Sequence, residues 1–499
     1  MNLIKLLNHN EKKSFLVLIF ILIIHLLFLD LYPVNDEYIF PVGAKLIENF
    51  EINEISLFFN FNANTLGFST LLLFFSKLLP FDYYTIGKLL SSSGLILIYL
   101  AVYALFKKLN LSNFKDKHIL ILLILFNPLI FIFSFRSTPD FFASALSFFS
   151  IIYFLNNNNS FMKLFFIILF SVSVIVKPFN AILILLIFFE FNYQLFFSKK
   201  NVNLLVWSFL FLIISCVYFI YNYYLFDFFL IPDQFKLARS FSIKNYFITF
   251  LSYIGFLNLF LMPLYLNLFI KSLIQNPLKI LIYIFISILF SLFLMEHRGE
   301  LNFGFLQKFL HTKIYFFIIS LSFFIFFDFI MNTLKNLREK KYSLNFIFLI
   351  IIFLIILSNF QPTQRYLLSI IPLSLFLFFT INNIKSLQIM TIIIYCFMNI
   401  PLISNHYYTS KNIENIIEYL KQNDILDDTI PGYIEQHALN YFIDFDKDIE
   451  ISMSKETLFN VNKKYYVTDI EPLNKNTIIF LSKSNNIFKK NRNLYLIYR

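Results

Sequence analysis

A chain of 499 residues that is 58% hydrophobic, 20% aromatic and only 14% charged, with a mean hydropathy of +0.70, lies outside the range of soluble globular domains. Its net charge of +11 does not point to nucleic acid, because the excess sits in the apolar part. Residues 1–403 hold 29 of the 41 basic and 17 of the 30 acidic side chains, whereas residues 404–499 are nearly balanced at 12 and 13.

Apolar runs at 15–31, 86–106, 119–135, 140–155, 161–176, 179–197, 203–222, 246–270, 278–295, 314–331, 343–358, 367–383 and 387–403 predict a polytopic α-helical membrane protein with about thirteen transmembrane helices. Lys5, Lys12 and Lys13 precede the first run, and it lacks a small-residue cleavage site, so it reads as an uncleaved helix. Lysines then gather in alternate loops, among them Lys107, Lys108, Lys115, Lys117, Lys163, Lys199, Lys200 and Lys385. The positive-inside rule makes these loops and the N-terminus cytoplasmic, which leaves residue 36 and the C-terminal segment extracytoplasmic. Lys45, Lys77, Lys236, Lys244, Lys308 and Lys313 fall on the outer side in this scheme, so the bias is not absolute.

Directly after the first run come Asn35, Asp36 and Glu37. Two adjacent carboxylates at a lipid–water boundary are candidates for acid–base work, Asp36 ahead of Glu37; their plainer reading is a solvated loop at the end of a span. The loop from 32 to 85 is too apolar to float in water, and 39–51 and 66–79 read as helices lying in the interface. Asp140 opens a helix after Thr138-Pro139, which suits either a catalytic or acceptor-binding role or a simple helix cap. Arginine is scarce, seven against 34 lysines, yet Arg136, Arg239, Arg298 and Arg365 all fall in outer loops. A guanidinium placed against the charge bias suits bidentate phosphate recognition, the alternative being contact with anionic lipid or a salt bridge. Lys177 is a further outer cation in an apolar setting, suited to donor contact or to snorkelling. Glu296 and His297 have no third metal ligand at a recognisable spacing, and Cys216 and Cys396 lie within apolar helices as packing residues.

Past residue 403 hydropathy falls. Residues 412–423 carry apolar positions at helical spacing, and short β-prone runs follow at TIPGYI, KKYYVTD, TIIFLS and NLYLIYR. The chain therefore divides into a membrane domain, 1–403, and a small extracytoplasmic α/β domain, 404–499.

NDEYIFPVGAKLIENFEI after the first helix, FRSTPDFFASAL at 135–146, KPFNAILILL at 177–186 and QRYLLSIIPL at 364–373 resemble the GT-C superfamily of polyprenyl-phosphate-dependent glycosyltransferases. Both the protein O-mannosyltransferase/aminoarabinose-transferase branch and the lipid-linked mannosyltransferase branch are similar in layout. Members of the aminoarabinose-transferase branch often carry a Lys-Pro-Pro segment where this chain reads Asn62-Ala63-Asn64-Thr65-Leu66, so that ligand is not carried over. The resemblance implies a multi-pass enzyme of the cell (inner) membrane that moves a sugar, with inversion, from a polyprenyl-phosphate donor to a lipid, glycan or protein acceptor. Asp36 would be the general base, with Glu37 and Asp140 as further catalytic candidates. Arg365, Lys177, Arg136 and Arg298 would hold the donor phosphate. A divalent cation is admitted as cofactor without an identifiable ligand set, and nucleic acid is not expected as a partner. A lipid-glycan flippase or exporter, or a surface-glycan polymerase or ligase, shares the same general composition.

Overall fold

The computed structural model describes residues 9–49, 66–109, 116–186, 199–226, 243–275, 277–296, 341–359, 364–381 and 385–426. It also describes short pieces between 313 and 321 and, in the C-terminal part, 428–430, 464–468, 471–472, 475–483 and 493–498. The chain is mostly helical with a small C-terminal sheet.

Helix α1, His9–Leu27, leads through a short turn into a 3-10 turn at Asn35–Tyr38. Helices α2, Ile39–Asn49, and α3, Leu66–Ser76, follow where interfacial helices were expected. They pack on each other through Phe40 and Phe68, whose rings meet edge to face at 5.3 Å, and Ser69 Oγ donates to Phe40 O at 3.0 Å. Their apolar faces close over Tyr83, Ile86, Phe142 and Leu146 of the next helices, so protein rather than lipid covers much of α2.

The centre is built from α4, Tyr83–Lys108, α5, Lys117–Phe126, α6, Pro128–Ser134, α7, Pro139–Asn156, and α8, Ser160–Val176. Small residues set the approach of α4 to its neighbours. A Cβ on Gly94 would lie 2.8 Å from the Phe141 ring, and one on Gly87 would overlap Ser137 Oγ. Packing through small residues is the usual way for apolar helices to come close. The run at 119–135, expected as one span, is instead α5 and α6 bent by 61°. Asn127 precedes Pro128, which disfavours helical backbone there, and Asn127 Oδ1 accepts from Leu129 N at 3.1 Å and Ile130 N at 3.4 Å to start α6 afresh.

Beyond a 3-10 turn at Pro178–Ile184 come α9, Lys199–Phe226, α10, Ile243–Gln275, α11, Pro277–Glu296, and α12, Lys341–Leu357. A further 3-10 turn, Gln364–Ser369, precedes α13, Ile371–Ile381, and α14, Lys385–Gln422. Among the described residues four helices are long and apolar enough to cross a membrane: α4, α7, Val206–Tyr224 of α9, and α14; α5 with α6 makes a fifth if they form one broken span. This is fewer than the thirteen expected. Pro128 breaks one run, and the runs at 179–197 and 367–383 begin as 3-10 turns. Helices α8 and α12 have 17 residues each, and most of 314–331 lies outside the described residues.

Helix α14 is continuous for 38 residues through Pro401, so the expected boundary at 403/404 falls inside a helix; hydropathy changes along it without a break in the chain. Four strands follow: β1, Thr429–Ile430, β2, Tyr465–Thr468, β3, Ile478–Ser482, and β4, Leu494–Tyr498. Their order is β1-β2-β4-β3, with β1 parallel to β2 and β4 antiparallel to both its neighbours. The sheet packs Val467, Leu494 and Leu496 against Ile413, Ile416, Ile417 and Leu420 of α14, and against Val34 and Tyr38 beside the first 3-10 turn.

The ends of the helices are chemically distinct. Lys108 Nζ donates to Leu155 O at 2.6 Å, Lys163 lies 5.6 Å from the Phe154 ring centre, and Lys385 pairs with Asp116 at 3.7 Å. These contacts gather the turns after α4, α7 and α13 at one end. The turns at 35–38, 135–138, 177–180 and 364–369 meet at the other.

Candidate functional site

The link from Phe135 to Thr138, between α6 and α7, is held against α4 by hydroxyls. Ser91 Oγ donates to Thr138 O at 3.0 Å and Ser92 Oγ to Ser134 O at 3.1 Å. This places Arg136 beside the turn that carries the acid pair. Arg136 Nε donates to Glu37 Oε1 at 2.7 Å and Ser137 N donates to Glu37 Oε2 at 3.3 Å. Glu37 is 0% exposed. His406, from α14, brings Nδ1 to 3.7 Å from Glu37 Oε1, and its ring stands edge-on to Phe135 at 5.1 Å. Lys88 Nζ donates to the carbonyls of Phe28 at 3.1 Å, Leu29 at 2.9 Å and Leu31, holding the turn that follows α1.

Burial by itself raises the Glu37 carboxyl; the Arg136 guanidinium first, with Lys88, outweighs it and holds the group below its ordinary value. Both Glu37 oxygens are thus engaged, an arrangement that ties its turn to the 135–138 link. Asp36 is the preceding residue of the same 3-10 turn; its side chain lies outside the description.

The second group forms around Asp140, four residues after Arg136. Asp140, in the first turn of α7 and 2% exposed, has Oδ1 2.6 Å from Lys177 Nζ and 3.9 Å from Arg365 Nε. Lys177 stands where α8 stops, since Pro178 follows it; Arg365 lies in the 3-10 turn before α13. The three segments are pinned from below by hydroxyls and an amide. Ser144 Oγ lies 2.9 Å from Ser369 Oγ, and Ser369 Oγ donates to Asn180 Oδ1. Above them the rings of Phe179 and Tyr366 meet at 4.8 Å, with Lys177 Nζ 4.8 Å and Arg365 Cζ 5.8 Å from the Tyr366 ring centre. Arg136 acts electrostatically on both carboxylates and so joins the two groups.

Five of the sequence candidates, Glu37, Arg136, Asp140, Lys177 and Arg365, are therefore brought together, and Asp36 joins them by its backbone. Arg298 and His297 lie outside the described residues. Among the described residues no three His, Cys, Asp or Glu side chains come close enough to hold a metal ion. Buried polar atoms at this end also make no hydrogen bond to any described residue: Ser137 Oγ, Thr138 Oγ1, Asn180 Nδ2 and His406 Nε2. Similar atoms, Ser208 Oγ among them, lie elsewhere along the helices.

Lys88 and His406 are not among the sequence candidates, and Phe179, Asn180 and Tyr366 lie within the segments 177–186 and 364–373 without an expected role. Lys88 carried a readable signal, being a charge within an apolar run. Nothing local marks His406, which lies 369 residues from Glu37 and reaches it only through the course of α14. Comparison with protein-family models, with curated proteins and with solved structures finds no significant match to this chain.

Proposed function

We propose that the chain is a multi-pass membrane glycosyltransferase of GT-C type, which moves a sugar from a polyprenyl-phosphate donor to a lipid, glycan or protein acceptor at the outer face of the cell membrane. The observation that carries this reading is the convergence of Glu37, Arg136, Asp140, Lys177 and Arg365 from four separate stretches of sequence onto one end of the helices. Carboxylates and guanidinium or ammonium groups in one partly dry site are the chemistry that transfer from a phosphate-linked donor needs. The sequence resemblance, carried by segments that contain these same residues, supports the same reading.

In this mechanism Lys177 and Arg365 hold the donor phosphate, and the partly exposed Phe179–Tyr366 pair flanks the group it carries. The acceptor oxygen attacks the anomeric carbon while its proton passes to Asp36. As the new C–O bond forms, the bond from the anomeric carbon to the phosphate oxygen breaks, and the electron pair stays on the lipid phosphate, which gains one negative charge. Fixed cations stabilise that charge more in the transition state than in the donor, and so lower the barrier. Glu37, locked to Arg136 and Ser137 N, holds the turn that presents Asp36.

The test is product formation by purified protein in detergent with a panel of polyprenyl-phosphate sugars, where no membrane remains to be crossed. Glycosylated acceptor, lost in Arg365→Ala and reduced in part in Arg365→Lys, is the expected result, because lysine keeps the charge but loses the fork. No product from any donor, together with movement of such lipids across reconstituted vesicles, would establish a flippase instead.

A further inference from the structure

The phosphate seat contains its own anion. Lys177 and Arg365 bring two positive charges, and Asp140, 2% exposed, sets one negative charge at 2.6 Å from the first and 3.9 Å from the second. As a proton-transfer group Asp140 is poorly placed, since an ammonium group already occupies its carboxylate. As a counter-charge it is well placed. It is fixed in the first turn of α7, where the helix end favours an anion, and Ser144 Oγ, one turn on, donates to its backbone carbonyl at 2.7 Å.

We infer that Asp140 is the internal counter-anion of the phosphate seat, a positioning residue that weakens the hold on the doubly charged lipid-phosphate product so that it can leave. The inference rests on the proposed transfer reaction for its biological meaning, but its electrostatics concern anion binding alone. A phosphate-linked sugar is a diester with one negative charge. Breaking the bond to the anomeric carbon leaves a monoester, which carries close to two charges above its second pKa of about 6. The preference of the seat for product over donor therefore scales with the net charge of the seat. Counting Lys177, Arg365 and Asp140 among the described residues, that charge is +1 with Asp140 present and +2 without it. The same carboxylate keeps both cations oriented while the seat is empty.

The measurement is equilibrium binding of two probes by the purified full-length protein in detergent at pH 8: farnesyl phosphate, a dianion, and its methyl diester, a monoanion. Asp140→Asn is expected to tighten farnesyl phosphate by about tenfold or more and the diester by less, because the added Coulomb attraction scales with ligand charge and is moderated by solvent. The dianion-to-monoanion affinity ratio rises accordingly. If Asp140→Asn does not fold, Lys177→Gln compared with Lys177→Gln/Asp140→Asn asks the same question with fewer uncompensated cations. The double variant should bind farnesyl phosphate about tenfold more tightly than the single one. An unchanged or lowered ratio in a folded Asp140 variant overturns the inference, as does absence of binding of either probe by the wild type. Wild-type binding with the expected ratios but no sugar transfer would overturn the proposed activity and leave the counter-anion standing.

Discussion

At the residue scale, Glu37 is the side chain whose surroundings are most completely specified, and its removal has two separable consequences. Glu37→Gln leaves Arg136, itself largely shielded, facing a neutral amide. Breaking a buried pair from one side costs about 3–5 kcal/mol, so the unfolding temperature in detergent should drop clearly at neutral pH. The dependence on pH has a definite sign. The folded state holds the carboxyl below its ordinary value of 4.5, so its contribution is complete above that value and is lost as pH falls through the lowered folded value. As pH falls below about 4.5 the wild type should lose more stability than Glu37→Gln; parallel curves for the two proteins would show that the pair contributes nothing. Much of this site was legible because charge is scarce: Asp140, Arg136, Lys177 and Arg365 stand out in a chain that is 14% charged. What could not be read was pairing. That Glu37 pairs with Arg136, 99 residues away, has no local signal, and the segments 177–186 and 364–373 do not by themselves single out Asn180, Tyr366 or Ser369.

At the scale of elements, the approach of α4 to the 135–138 link decides whether Arg136 reaches Glu37. Gly87 allows that approach. In Gly87→Ala the new methyl group overlaps Ser137 Oγ and lies 3.0 Å from Ser137 Cβ, which should destabilise the protein by about 1–3 kcal/mol through overpacking. Ser137→Ala in the same chain removes the worst overlap and should restore part of the loss, measured as thermal unfolding; equal stability of Gly87→Ala and wild type would mean that the link yields freely. Helix positions were readable from hydropathy because an apolar run of sufficient length leaves few alternatives. Breaks within runs were less so. Pro128 and Pro178 end helices inside stretches that hydropathy treats as continuous, whereas Pro401 sits inside α14 without ending it. The amphipathic stretch at 412–423 was correctly helical but is the end of α14, since a fall in hydropathy marks where a helix changes surroundings and not where it stops.

For the molecule as a whole, α14 ties the sheet to the site. One helix packs Ile413, Ile416, Ile417 and Leu420 on the strands and carries His406 to Glu37, so the C-terminal unit buttresses the turn that bears Asp36. The proposed orientation puts this end outside the cell and the lysine-rich end inside. In a background without Cys216 and Cys396, a cysteine at the exposed Lys475 should react with a membrane-impermeant thiol reagent in intact cells, and one at the exposed Lys385 only after lysis; labelling of both, or the reverse pattern, would overturn the orientation. The most direct test of the account is the separation of chemistry from binding at Asp36. With purified protein and a polyprenyl-phosphate sugar that the wild type uses, turnover and donor affinity are measured for Asp36→Asn. Turnover should fall by about a hundredfold or more with donor affinity little changed. Near-normal turnover in Asp36→Asn would contradict it.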